Sequence, residues 1–234
     1  MNCTSKIINH GADQEGSKGR KGKKEGKANM KRKIKLLSVL LAAVLVVAMA
    51  AGCAEREQAE QKEEKEVSKD TKILVVYFSW SGHLNTMAHW IAEETGGDIV
   101  RVLAKDEYPK DYDETTDRAK KEQEEGTRPE ITLDLTAKEL KKYDTVFFGF
   151  PVWWYDLPMP MYTFLESSDL SGKTVIPFFS HEGSSDGADS LPNLKKLAKK
   201  ADVKTDDALS VQGTKVDDAE KEVRGWVKKL GYSK

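Results

Sequence analysis

The chain has 234 residues, 38% of them hydrophobic and 33% charged, which supplies the core of one domain and excludes a large multi-domain protein. Its net charge of −1 hides an asymmetry: residues 1–53 carry 11 basic and 3 acidic side chains, leaving 27 basic and 36 acidic, a net charge of −9, from residue 54 onward. An acidic body without a basic stripe excludes nucleic acid as a partner, and because Cys3 and Cys53 both precede it, the body also excludes a disulfide or thiolate metal site of its own.

Residues 1–29 are rich in Gly and Lys and cannot bury a core; Met30, directly before a cationic cluster, is the more ordinary start. Lys31, Arg32, Lys33 and Lys35 precede Leu36 to Ala51, a run of 16 uncharged, mostly apolar residues. At ~1.5 Å per residue that run spans about 24 Å, short of the ~30 Å hydrocarbon core, so 30–53 reads as a signal peptide rather than a permanent membrane helix. Its ending, Ala50-Ala51-Gly52-Cys53, resembles the lipobox of bacterial lipoproteins, with Ala50 where that family most often has Leu. The resemblance implies acylation of Cys53 and attachment to the extracytoplasmic face of the cell membrane; ordinary cleavage after small residues is the alternative. Ala54 to Thr71, charged and without Pro or Gly, reads as a solvated tether.

From Lys72 to the C-terminus short apolar runs alternate with amphipathic stretches, which predicts an α/β domain with a doubly wound parallel sheet of five strands covered on both faces. The predicted strands are Ile73 to Phe78, Asp98 to Val102, Thr145 to Phe150, Thr174 to Phe179 and Ala208 to Gln212. Leu84, Met87, Ala88, Ile91 and Ala92 mark one face of a helix ending at Gly96-Gly97. Thr136 caps a short helix through Leu140, and Leu157 to Leu165 forms another with prolines in its first turn. Further stripes are Leu191, Leu194, Leu197 and Ala198, then Ala219, Val223, Trp226, Val227 and Leu230. Leu103 to Pro129, long and highly charged, reads as a flap outside the alternation, placed to cover a ligand if it lies near the strand ends. Pro177, awkward inside a ladder, predicts that the fourth strand ends near it.

Ligands of such sheets bind beyond the carboxyl ends of the strands, where the strand order reverses. Three segments should reach that edge. Ser79, Trp80, Ser81, Gly82, His83, Leu84, Asn85 and Thr86 place hydroxyls and backbone N–H groups at a helix N-terminus, an anion site without Lys or Arg. Neither a Gly-Lys-Ser/Thr phosphate loop, a G-x-G-x-x-G fingerprint nor a phosphatase Cys and Arg is present there. The second segment, Pro151, Val152, Trp153, Trp154 and Tyr155, puts three aromatics in succession, and at least one ring should stand exposed to stack on a flat heterocycle. The third, Ser180, His181, Glu182, Gly183 and Ser184, brings a second histidine beside His83.

In this order, each after a strand, these segments resemble the flavodoxin family, in the branch whose loops read S-x-S-G-N-T, G-x-P-x-W-W and Ser/Thr-His-x-Gly-Ser. The resemblance covers nearly all of Lys72 to Gly231 and implies strand order 2-1-3-4-5 and noncovalent FMN. It implies a phosphate in the 79–86 turn, an isoalloxazine ring against Trp153-Trp154, and Ser180 to Ser184 along the pyrimidine side. His83-Leu84 stands where the family usually has Asn-Thr, so a phosphate-binding hydroxyl is missing at Leu84, with Asn85 or Thr86 next in line. The expected role is electron transfer at low potential with a redox partner protein or a small-molecule donor or acceptor. The alternatives are an NAD(P)H- or quinone-dependent reductase and a flavin-free binding lipoprotein. No side chain stands out as a catalytic acid, base or nucleophile.

Overall fold

The computed structural model describes residues 70–183 and 187–234; Cys53, the apolar run, the tether up to residue 69 and Ser184 lie outside the described residues. Strand β1 (Ile73–Tyr77) is buried along its whole length, as its unbroken apolar sequence requires of a central parallel strand. Helix α1 (His83–Thr95) returns to β2 (Asp98–Arg101). After an excursion come α3 (Ala137–Leu140), β5 (Thr145–Pro151), α4 (Met159–Ser167) and β6 (Thr174–His181). The excursion itself contains β3 (Leu103–Ala104), α2 (Tyr112–Glu125) and β4 (Ile131–Thr132). The chain closes with α5 (Ser190–Leu197), β7 (Asp202–Val203), β8 (Leu209–Gln212) and α6 (Glu220–Lys229).

The main sheet runs β2-β1-β5-β6, all parallel, and both β7 and β8 pair with β6. In terms of the five predicted strands the order is 2-1-3-4-5. Alternation along the strands divides the core into two layers. Leu74, Val76, Phe78, Phe148, Phe150 and Phe179 face Met161, Phe164 and Leu194 on one side. Ile73, Val75, Tyr77, Phe147, Ile176 and Phe178 face Leu84, Met87, Ile91, Val223 and Val227 on the other. Each such side chain contributes ~1.5–3 kcal/mol by leaving water, so these layers fix the strand ends that carry the site.

The fifth position of the sheet is divided. Thr174 and Val175 pair with β7, Phe178 to His181 pair with β8, and a 3₁₀ turn at Thr205–Asp207 separates the two pieces. This corrects the expectation for Pro177, since β6 continues through it to His181, opposite Phe148 of β5. Lys204 N donates to Val175 O at 2.9 Å, so by alternation the backbone groups of residue 177 turn to the same side, where they meet the gap between β7 and β8. A missing N–H costs no ladder bond there.

The flap expectation is also corrected. Leu103–Ala104 pairs antiparallel with Ile131–Thr132, and between them α2 is a regular helix of 14 residues. Asp111 caps it, accepting from Glu114 N at 3.0 Å, and Gly126 ends it. The face that α2 buries is Thr115, Ala119 and Glu122, with no large apolar side chain.

Candidate functional site

Strand order reverses between β1 and β5, and the turns leaving these strands are neighbours at the carboxyl edge. They open onto a cavity of about 300 Å³, at the small end of the ~300–1,000 Å³ range of ligand pockets. Trp80, Ser81 and His83 line it from the first turn, Pro151 to Tyr155 from the second, and Ser180, His181 and Glu182 from the end of β6. Eleven residues expected from the sequence are therefore brought together. Helix α2 supplies a fourth wall, Tyr112, Thr115, Thr116 and Ala119, so the 103–129 segment does cover the cavity as the sequence allowed, although the sequence singled out none of these four residues.

The other expected residues among those described are not part of this lining. Ser79 is buried, accepts from Gly82 N at 3.1 Å through its hydroxyl and from Arg101 at 2.7 Å through its carbonyl, and so shapes the turn from below. Asn85 accepts from the Tyr77 hydroxyl at 2.6 Å. Leu84 is 1% exposed in the core beneath α1, so its side chain packs against the sheet instead of facing the cavity. Thr86 N closes the first helical bond, to Gly82 O at 3.1 Å. Gly183 N donates to His181 Nδ1 at 2.9 Å, which fixes Nδ1 as an acceptor.

The start of α1 has no side-chain cap and no acidic residue in its first turn. Its leading N–H groups thus lack a competing anion, and the helix dipole adds positive potential. Among the described residues lining the cavity there is no lysine or arginine. His83 and Glu182 converge at Gly213, which the sequence reading also missed. A Cβ there would stand 2.3 Å from Glu182 Oε1 and 2.9 Å from His83 Nδ1, so a larger residue would push the Glu182 carboxylate and the His83 ring from these positions.

The aromatic turn is strained. Trp153 and Asp156 exchange both backbone hydrogen bonds at 2.9 Å, leaving Trp154 and Tyr155 as the central pair with φ of 47° and 67°. Such turns ordinarily take Asn-Gly, and each non-glycine residue there costs ~1–3 kcal/mol. The surroundings hold the pair in place. Trp154 Nε1 donates to Thr116 O at 2.9 Å, Gln123 Nε2 to Trp154 O at 3.2 Å and Asp189 N to Tyr155 O at 3.0 Å. Below, the buried Asp156 carboxylate accepts from Leu157 N, Tyr162 and Asn193 at 2.7 to 2.8 Å. Burial, then the bond to Asp156, holds the Tyr162 phenol well above its ordinary value, so it remains a donor even at a pH where an exposed tyrosine ionises.

The paired indoles have different surroundings. Trp153 packs edge-on against Tyr108 at 5.0 Å and Phe78 at 5.4 Å, whereas Trp154 is 43% exposed with Lys120 Nζ 5.1 Å from its ring. Because Tyr155 is 56% exposed and strained, Tyr155→Gly is expected to raise stability by about 1 kcal/mol, a rise of ~2–4 °C in Tm, while widening the cavity mouth. Thermal unfolding of the ligand-free protein checks this, and a lower Tm would show that the ring's packing outweighs the strain.

A sequence profile of flavodoxin matches residues 72–230, the span that forms this sheet and its edge. The chain belongs to the flavodoxin family. Among solved structures, a chain assigned as a flavoprotein from Bacteroides eggerthii is 32% identical, with a TM-score of 0.57 over 69% of this chain and 98% of its own. One from Bacteroides uniformis is 29% identical, with a TM-score of 0.58 over 68% and 99%. A flavoprotein from Lactobacillus acidophilus, solved in complex with FMN, is 27% identical, with a TM-score of 0.52 over 63% and 97%. The flavodoxin match thus ends at the C-terminal helix and begins one residue before β1.

Proposed function

We propose that this flavodoxin-family chain binds FMN noncovalently at the carboxyl edge and passes electrons at low potential while tethered to the outer face of the cell membrane. The observation that carries the cofactor reading is the junction of two unlike surfaces in one cavity: an uncapped helix start suited to a phosphate, and an aromatic wall suited to a planar ring. Ser81, His83 and the N–H groups that open α1 would hold the phosphate; Trp153, Trp154 and Tyr155 would hold the ring, and Ser180 to Gly183 its polar edge. When bound, FMN supplies reversible electron transfer, and the protein supplies orientation and electrostatics. The described lining carries no Lys or Arg, and in a body of net charge −9 this disfavours added negative charge in the cavity and so favours a low potential, with Lys120 Nζ, 5.1 Å from the Trp154 ring, opposing it in part.

Titration of the purified ligand-free protein with FMN tests this. The expected result is saturable quenching of flavin fluorescence at one FMN per chain, with riboflavin bound more weakly because it lacks the phosphate. A protein that stays colourless in excess FMN overturns the reading. A second use of the same site, reduction of a small molecule, is favoured by α2, whose Tyr112 stands 63% exposed in the cavity lining with its ring 6.3 Å from that of Trp80. Anaerobic mixing of the loaded protein with NADH or NADPH separates the two: a carrier stays oxidised and a reductase bleaches.

The anchor rests on Cys53, which follows the apolar run and Gly52. Two or more acyl tails give the stable attachment that one chain does not. Cys53→Ser is expected to shift the protein from the membrane to the soluble fraction or to leave it unprocessed. Unchanged membrane attachment with a cleaved N-terminus would refute the lipid assignment.

A further inference from the structure

Helix α2 buries a carboxylate where an apolar side chain would be expected, since Glu122 is only 8% exposed on the face that also carries Thr115 and Ala119. Its Oε1 accepts from Arg118 Nε at 2.8 Å, one turn earlier, and its Oε2 accepts from the Tyr108 hydroxyl. The rest of the Arg118 guanidinium reaches back to the loop before α2, donating to the carbonyls of Glu107 and Asp106 at 3.0 Å and pairing with the Asp106 carboxylate at 3.1 Å. Its Cζ lies 4.2 Å over the Tyr108 ring. The phenol is thus gripped at its oxygen by Glu122 and on one face by Arg118.

The Tyr108 ring continues the chain of contacts into the cavity wall. It meets Trp153 at 5.0 Å with an interplanar angle of 81° and Phe78 at 5.9 Å with 71°. Phe78 meets Trp153 at 5.4 Å and 88°, so Trp153 is wedged between two rings, of which only Tyr108 is adjustable by a polar partner. Burial, then the bond to Glu122, keeps the Tyr108 phenol far above its ordinary value, and its proton therefore stays in the bond. Stability does not account for the ionic pair, because a buried pair is commonly no better than apolar side chains of the same volume. What the pair adds is direction, which a methylene side chain would not.

We propose that Glu122 is a positioning residue for the flavin wall, acting through Tyr108 to set the plane of Trp153 and, from the same helix, the inner face of Thr115, Thr116 and Ala119. This rests on the FMN reading above. Neither Glu122 nor Tyr108 lines the cavity, so neither is a contact of the ligand.

The test uses the full-length protein and three variants, Tyr108→Phe, Glu122→Gln and Glu122→Leu. Tyr108→Phe keeps the ring and removes the grip, while Glu122→Leu keeps the volume and removes the direction. Each is expected to weaken FMN binding about tenfold, the scale of one hydrogen bond to a charged group. Each is also expected to change the near-ultraviolet circular dichroism of the indoles in the ligand-free protein and the visible dichroism of the bound flavin. Glu122→Leu leaves Arg118 and the Tyr108 hydroxyl without that partner and is expected to lower Tm as well, whereas Tyr108→Phe keeps the Arg118–Glu122 pair and should change both signals with a smaller loss of Tm, so that affinity and dichroism change out of proportion to stability, an outcome that a merely structural role would not produce. Wild-type FMN binding matched in affinity and dichroism by all three variants overturns this assignment alone. A wild-type chain that binds no FMN overturns it together with the cofactor reading.

Discussion

Trp153→Ala and Trp154→Ala are expected to fail in different ways, although the two indoles are adjacent and both line the cavity. Trp153 is held by Tyr108 and Phe78, and its loss leaves a void between them beside the core of the sheet. Truncating a buried large aromatic costs ~3–5 kcal/mol, and for the half-buried Trp153 a cost of about 2–3 kcal/mol is expected, lowering Tm by ~4–12 °C. Trp154 is 43% exposed and contributes one hydrogen bond, to Thr116 O, and a contact with Lys120, so its removal is expected to cost under ~1 kcal/mol of stability. Its effect falls on the ligand: an exposed indole at the wall would be covered by a bound ring, and losing that contact is expected to lower FMN affinity by ~10- to 100-fold. Thermal unfolding of both ligand-free variants and an FMN titration of each separate the effects. Equal, negligible losses of affinity would refute the role of the aromatic wall, and equal losses of stability would refute the contrast in packing.

That asymmetry was half legible in the sequence. Three consecutive aromatics after a strand require at least one exposed ring, but which ring is decided by Tyr108, 45 residues earlier in the chain, and by a turn whose positive φ values no side-chain pattern announces. The β1, β5 and β6 strands were legible because parallel strands buried on both faces read as continuous apolar runs. Helix α2 was not, because its buried face is Thr115, Ala119 and Glu122 and it is held by polar bonds to Trp154, Asp106 and Glu107. Its ends were nevertheless written in Asp111-x-x-Glu114 and Gly126, a capping signal that apolar periodicity alone overlooks. Pro177 was misjudged for a related reason. The rule against proline in a ladder assumes a continuous neighbour, and here the neighbour is broken between Val203 and Leu209.

Gly149→Ala is expected to damage both the sheet and the site from within β5. Gly149 pairs with Tyr77 of β1 on one side and Phe178 of β6 on the other, four residues before Trp153, where the aromatic turn begins. A Cβ at this position would stand 2.2 Å from Phe178 Cζ and under 3.0 Å from both Cε atoms. The Phe178 ring is fully buried among β1, α1 and β8 residues, so it cannot swing into solvent, and the backbone of β5 must move instead. Overpacking a dense core costs ~1–3 kcal/mol and more where backbone is displaced, and about 3 kcal/mol is expected here. The displaced strand carries Pro151 and Val152 into the cavity wall and bonds Phe78 N through Gly149 O at 3.0 Å, so FMN affinity should fall with stability. Denaturant unfolding measures the first effect as a lower midpoint at unchanged m, and titration measures the second. The decisive control is the double variant Gly149→Ala with Phe178→Leu. If the clash with that ring is the cause, the shorter side chain should return part of the lost stability, giving a coupling of about 1 kcal/mol or more between two residues in contact. Additive losses would show that the methyl group harms the strand by another route.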